Sequence, residues 1–166
     1  MLGALFKYKA WANDALLSEF RQHHDEIPDA DRHRAIRLLN HLYVVDRIFA
    51  AHLLGREHGH VTTNTADTPT LDALHAAVAE SDRWYAEYVA GLDAERLPER
   101  IAFVFTDGAR GSMSREEMLM HVVMHNGYHR GQVGNLLPQL SSAPPQDTFT
   151  TYLHRVEPER RERDRA

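Results

Sequence analysis

Four long stretches of helical periodicity constrain this 166-residue chain more than any other feature. Apolar residues recur in each at three- and four-residue intervals, so each would form a helix with one face that must be buried against another. The first stretch covers residues 2–23, with Leu5, Tyr8, Ala12, Leu16 and Phe20 in its stripe. The second begins near Asp29, read as an N-cap, and runs to Leu54, with Gly55 placed as the C-terminal glycine. Its stripe contains Leu38, His41, Leu42, Val45, Ile48, Phe49 and His52. The third starts around Thr68 to Thr70, with Pro69 in a first turn, and ends at Ala90 before Gly91; Leu71, Leu74, Val78, Trp84, Tyr85 and Tyr88 form its face. The fourth opens on Ser114-Arg115-Glu116-Glu117, a capping-box pattern, and reaches Leu137 before Pro138.

Between these stretches lie a polar connection at 55–67 and a β-prone run, RIAFVF, at 100–105. Asp107-Gly108 follows the run, so two small strands or an extended loop are expected there. A short helix is expected over 148–155, after Pro144-Pro145. The pattern predicts an all-α four-helix bundle forming a single domain over residues 1–155, with a solvated, frayed tail at 156–166. Trp11 and Trp84 fall at helical spacings that place them in the core. Lys7 and Lys9 interrupt the first apolar run, so it reads neither as a signal peptide nor as a membrane span. The cytoplasm is the expected location.

Composition removes several functions. The formal net charge is −5, against a dedicated nucleic-acid module. There is no cysteine, which excludes disulfides, thiolate metal sites, iron–sulfur clusters and a cysteine nucleophile. Histidine is abundant instead, with 12 copies, and imidazole is the commonest metal ligand.

The histidines in the fourth stretch are ordered. His121, His125 and His129 recur every fourth residue, and each step rotates only ~40°, so neighbours share a face with Met118, Val122 and Val133. Two imidazoles one turn apart can converge on one cation. His41 is the expected third ligand on grounds of depth. It lies ~17 Å along its helix, and the midpoint of His125 and His129 lies ~18 Å along theirs, at 1.5 Å per residue. The two levels meet whether the helices run parallel or antiparallel, whereas His52 and His121 are off centre. Three neutral nitrogens with positions left open make a catalytic arrangement rather than a closed structural one.

The segment HNGYHRGQV resembles the H-x-x-x-H-R-G-Q signature of the DinB/YfiT-like superfamily of metalloenzymes. FKYKAWANDALL is similar to that family's first helix, and LLNHLYVVDRIFAAHLLG to its second. The matches arrive in the family's order over most of residues 4–137 and are weakest across 56–113. The resemblance implies a four-helix bundle with His41, His125 and His129 on a divalent metal, zinc or nickel, and a homodimer. It makes His121, Arg130 and Gln132 candidates for supporting the ligands or lining the pocket. Arg130 and Gln132 are equally explained by a buried salt bridge or helix contact. One departure concerns pocket shape: family members often carry Trp a few residues after the second-helix Asp, and here Asp46 is followed by Ile48 and Phe49.

Asn126 stands where H-E-x-x-H proteases carry their glutamate, so that built-in base is missing. The Glu57-x-x-His60 spacing lies at a helix end and does not make a di-iron pattern. An i, i+4 histidine pair cannot clamp the two faces of a haem. The sequence therefore leaves two readings. One is a metal-dependent transferase or hydrolase acting on a small molecule, with a low-molecular-weight thiol as one candidate. The other is a non-catalytic stress or binding protein whose metal only holds helices together. No nucleic-acid or membrane partner is expected in either.

Overall fold

The structure, a computed structural model, describes residues 1–136 and 147–161. It is built from α1 (Leu2–Gln22), α2 (Asp29–Leu53), α3 (Leu71–Ala90), a hairpin of β1 (Arg100–Val104) and β2 (Arg110–Ser114), α4 (Arg115–Leu136) and α5 (Phe149–Val156). The four long helices form the all-α bundle that the periodicity predicts. Among the described residues, no helix is long and apolar enough to cross a membrane.

Two expected termini follow the sequence signals closely. Gly55 takes φ +66° after α2. Its N–H donates to the His52 carbonyl at 3.0 Å, and that of Arg56 donates to Ala51 at 2.9 Å, the paired bonds of a Schellman cap. Ser114 and Glu117 close the capping box on α4, each accepting the other's backbone N–H at 3.1 and 2.6 Å.

Other details differ from expectation. Asp29 is the first helical residue rather than the cap; its carboxylate pairs with Arg32 and places negative charge in the first turn. Pro69 precedes α3, which is capped by Thr70 through a bond from the Ala73 N–H. Gly91 keeps φ at −91°, so it ends α3 without the left-handed conformation. The 100–114 segment is a hairpin in which Phe103 pairs with Gly111. Its turn has Gly108 at φ +87° and the Asp107 side chain accepting from the Ala109 N–H. Thr148 caps α5. Pro138, Pro144-Pro145 and residues 162–166 of the expected tail lie outside the described residues; the chain before them makes one further turn at Pro158–Arg160.

Two apolar clusters fill the bundle. One joins Leu16, Phe20, Ile36, Leu39, Leu74 and Val133. The other joins Phe6, Phe49, Leu53, Tyr85, Met118 and Val122. These memberships put the N-terminal halves of α1 and α4 beside the C-terminal halves of α2 and α3. Helices α2 and α3 therefore run parallel, which is why a long connection separates them, and α4 runs antiparallel to α2. Trp84 packs at the edge of the second cluster, stacked on Tyr88. Trp11 lies half-buried under Tyr152 of α5.

Between the clusters lies a polar layer that the hydrophobic pattern did not reveal. Lys9, expected only to interrupt an apolar run, is fully buried. Its ammonium pairs with Asp46 at 2.7 Å and with Asp82. Asn13 donates to Asp82 at 3.0 Å, and Asn126 donates to Asp46 at 2.8 Å. Arg130 donates to Asn13 at 2.9 Å and to Asp147 at 2.6 Å, and the Tyr8 hydroxyl donates to the same Asp147 carboxylate. The layer ties all four long helices, and Asp147 just before α5, at one level. Buried charges are tolerable only when paired and hydrogen-bonded in this way.

Candidate metal centre

The antiparallel run of α2 and α4 brings His41 beside the His125–His129 face. One ring nitrogen of each lies within 4.8 Å of the other two, and all three residues are half-buried. His41 Nε2 and His125 Nε2 are 3.2 Å apart. Two nitrogens bound to one tetrahedral zinc would stand about 3.3 Å apart, from a Zn–N distance of about 2.0–2.1 Å.

Hydrogen bonds behind the rings orient two of them. His41 Nδ1 lies 2.8 Å from the Thr63 carbonyl, which can only accept, so Nδ1 carries the proton and Nε2 keeps its lone pair. His129 Nδ1 lies 2.7 Å from Gln132 Oε1, with the same consequence. Gln132 is held in turn by donating to the Tyr128 hydroxyl at 3.1 Å. His125 Nδ1 is buried and, among the described residues, has no partner. Burial, followed by the neighbouring His129 and His41, drives the His125 pKa down to about 3. Burial also lowers His129, against an opposing pull from its bond to Gln132. His125 and His129 are therefore neutral near pH 7, the form that binds metal. The donor set fits a divalent cation of borderline character.

The Thr63 carbonyl is placed by the connection read from sequence only as polar. Arg37 donates to the Thr65 carbonyl at 2.7 Å, Asn40 to the Thr65 hydroxyl at 2.6 Å, and the Asn64 amide back to the Arg37 carbonyl at 3.0 Å. These bonds strap the loop to α2 one turn before His41. Buried Asn40 beside the ligand candidate was the signal available in the sequence.

The remaining candidates separate by direction. His121 stacks on Phe49 at 4.6 Å and on His125 at 5.3 Å, between ring centroids, and burial lowers its pKa. Gln132 lies directly behind His129. Arg130 points into the buried polar layer, and so does Asn126. His52 lies against Phe103 at 4.8 Å and is absent from the three-histidine group.

A cleft of about 410 Å³ opens beside the group, with His41 and His125, but not His129, in its lining together with His121 and His52. Its other walls are mostly apolar side chains of α2 and the hairpin, with Thr63 and Thr106; the sequence placed the α2 residues on the stripe of His41, and the hairpin's part was not read from it. A separate cleft of about 360 Å³, between α1 and α3, includes none of the three histidines.

The fold and site together define a helical bundle whose interior face presents a three-histidine group that could hold a divalent cation. The sequence model of the DinB family matches residues 1–162. The chain belongs to the DinB family. No curated protein and no solved structure matches it.

Proposed function

We propose that this protein is a metal-dependent enzyme in which His41, His125 and His129 hold one divalent cation, zinc or nickel. The observation that carries the reading is the incompleteness of the group. Among the described residues no fourth side chain joins the three histidines, and a cleft lined by two of them, His41 and His125, opens beside the group. A structural site would be closed by a fourth ligand, whereas a catalytic one keeps a position free. This favours catalysis over a metal that only ties helices together.

Such a cation supplies Lewis-acid chemistry, making the deprotonated form of water or of a thiol accessible near neutral pH. The chain's own residues do the rest. Thr63 and Gln132 fix two of the imidazoles so that no reorganisation is needed when substrate arrives. His121 stacks on His125 and is itself backed by Phe49, which gives the cleft an aromatic wall beside the group. With no cysteine in the chain, any reacting sulfur comes from the substrate, which suits a transferase using a low-molecular-weight thiol; hydrolysis is the alternative activity.

Metal analysis of the purified protein tests the reading, followed by thiol-transfer and hydrolase assays before and after chelation. About one equivalent per chain and an activity restored by adding the metal back are expected. Stoichiometric metal in His125→Ala would overturn it.

A further inference from the structure

Charged residues make up 26% of the chain, so a twelve-residue lining drawn at that average would hold about three. Among the described residues, the cleft that opens on His41 and His125 holds no Lys, Arg, Asp or Glu in its lining of twelve. We propose that the substrate of this site carries an uncharged apolar body, aryl or branched alkyl, that lies between α2 and the hairpin. The inference depends on the metal reading only for where the reacting group sits.

Val45, Ile48 and Phe49 form the helix wall, and Phe103, Phe105 and Met113 form the hairpin wall. A carboxylate or phosphate on the substrate body would lose its hydration there with no cation facing it. One anionic head group at the histidines remains compatible with the site. A multiply charged tail must stay outside the cleft. The volume, about 410 Å³, lies in the range of small-molecule sites.

The hairpin wall is built for this position. Gly111 lies opposite Phe103 in the ladder. A Cβ there would meet the Phe105 ring at 2.7 Å and the Phe103 ring at 2.8 Å, so the missing side chain is what seats both rings. Their centroids are 4.8 Å apart, and Phe103 reaches across to Phe49 and His52 on α2. Phe105 sits at the rim with 47% of its surface open. Two aromatic rings are thus held over the cleft by a gap in the opposing strand, one of them without a full set of packing partners.

Two dyes with one skeleton test the proposal. The full chain, as purified and again after chelation, is titrated with N-phenyl-1-naphthylamine, which is neutral and brightens in apolar surroundings. The second titrant is 1-anilinonaphthalene-8-sulfonate, which adds one anion. In the chelated protein, where no metal cation can face the sulfonate, one neutral dye per chain is expected, bound at least about tenfold more tightly than the sulfonate. Phe105→Lys, at a rim position 47% exposed, is expected to erase or reverse that preference. Equal affinities in the chelated, unaltered chain, no binding of the neutral dye, or an unchanged preference in chelated Phe105→Lys would each overturn the proposal. Neither dye needs the metal, so failure here leaves the histidine assignment standing. Failure of metal binding equally leaves this proposal standing.

Discussion

Asn126, the residue after His125, donates from Nδ2 to Asp46 Oδ1 at 2.8 Å in the buried polar layer. The helix that presents two of the candidate ligands is therefore tied directly to a buried carboxylate of α2, the helix that presents the third. Asp46 is itself held by Lys9 at 2.7 Å. The polar layer thus fixes how far α2 and α4 stand apart, and so the separation across which His41 faces His125. Asn126, which marks the missing glutamate of an H-E-x-x-H motif, has this structural use instead.

The first prediction concerns the ligands. His41→Ala, His125→Ala and His129→Ala should each abolish stoichiometric metal binding, measured by elemental analysis after dialysis. His52→Ala and His75→Ala should leave it intact. His75 is paired with Asp14 at 2.9 Å on the other cleft. His121→Ala should retain metal with altered affinity or activity, because it covers His125 without joining the group.

Gln132 and Arg130, adjacent in the signature, should behave differently. Removing a group that orients a metal ligand typically costs about 10–100-fold in affinity or activity. Gln132→Ala is expected to weaken metal binding in that range while the unfolding curve hardly moves. Arg130→Ala should instead lower stability, because it leaves Asn13 and Asp147 without their shared cation. Calorimetric metal titration and urea unfolding of both variants separate the two roles; a stability loss in Gln132→Ala with unchanged metal affinity would reverse them.

Much of this was legible in the sequence for a physical reason. Helical periodicity, the Ser114–Glu117 box and Gly55 are local signals, and local signals survive without tertiary information. The depth argument placed His41 opposite His125 because both helices are long and pass the same level. Lys9 escaped the reading because a charge in an apolar stripe looks like an interruption until its partners, Asp46 and Asp82, arrive from two other helices. The Thr63 carbonyl escaped because a backbone acceptor has no residue signature. The hairpin's contribution escaped because the role of Gly111 exists only opposite Phe103.

Lys9→Met tests the buried layer. It leaves Asp46 and Asp82 without their common cation, and removing one partner of a buried pair costs about 3–5 kcal/mol. Burial already raises the Asp46 pKa to about 6, outweighing the pull of Lys9. A carboxyl with a raised folded pKa takes up a proton on folding, so it adds stability as pH falls from that pKa toward the unfolded value. Without Lys9 the folded value rises further. Urea unfolding should show the defect of Lys9→Met shrinking on acidification from pH 7 to 5; a pH-independent defect would contradict the assignment.

Gly111→Ala should disturb the hairpin wall more than the bundle. The new methyl meets both rings, and Phe105 can swing outward whereas Phe103, 7% exposed, is confined. Overpacking of this kind costs about 1–3 kcal/mol, and the open rim places the variant at the lower end. The expected result is a small fall in melting temperature with a clear loss of neutral-dye affinity. Unchanged dye binding would show that the rings are not held by the gap.

The last prediction concerns acid. Burial drives His125 down to about 3, and His129, His121, His52 and His60 are also lowered, each chiefly by burial. A histidine with a depressed folded pKa contributes stability above its unfolded value of about 6.5, and loses it as pH falls toward the folded value. The metal-free protein should therefore lose melting temperature below pH ~6.5, partly offset by the opposite change at Asp46 between about 6 and its unfolded value. Metal adds a second dependence of the same sign, since protons compete for the three ligand nitrogens. The loaded protein should begin higher and fall more steeply through and below pH ~6, converging on the metal-free curve as the ion leaves. Scanning calorimetry from pH 8 to 5, with and without a chelator, reads both curves. If chelation leaves the acid dependence of the melting temperature unchanged, the histidines are three half-buried imidazoles and not a metal site.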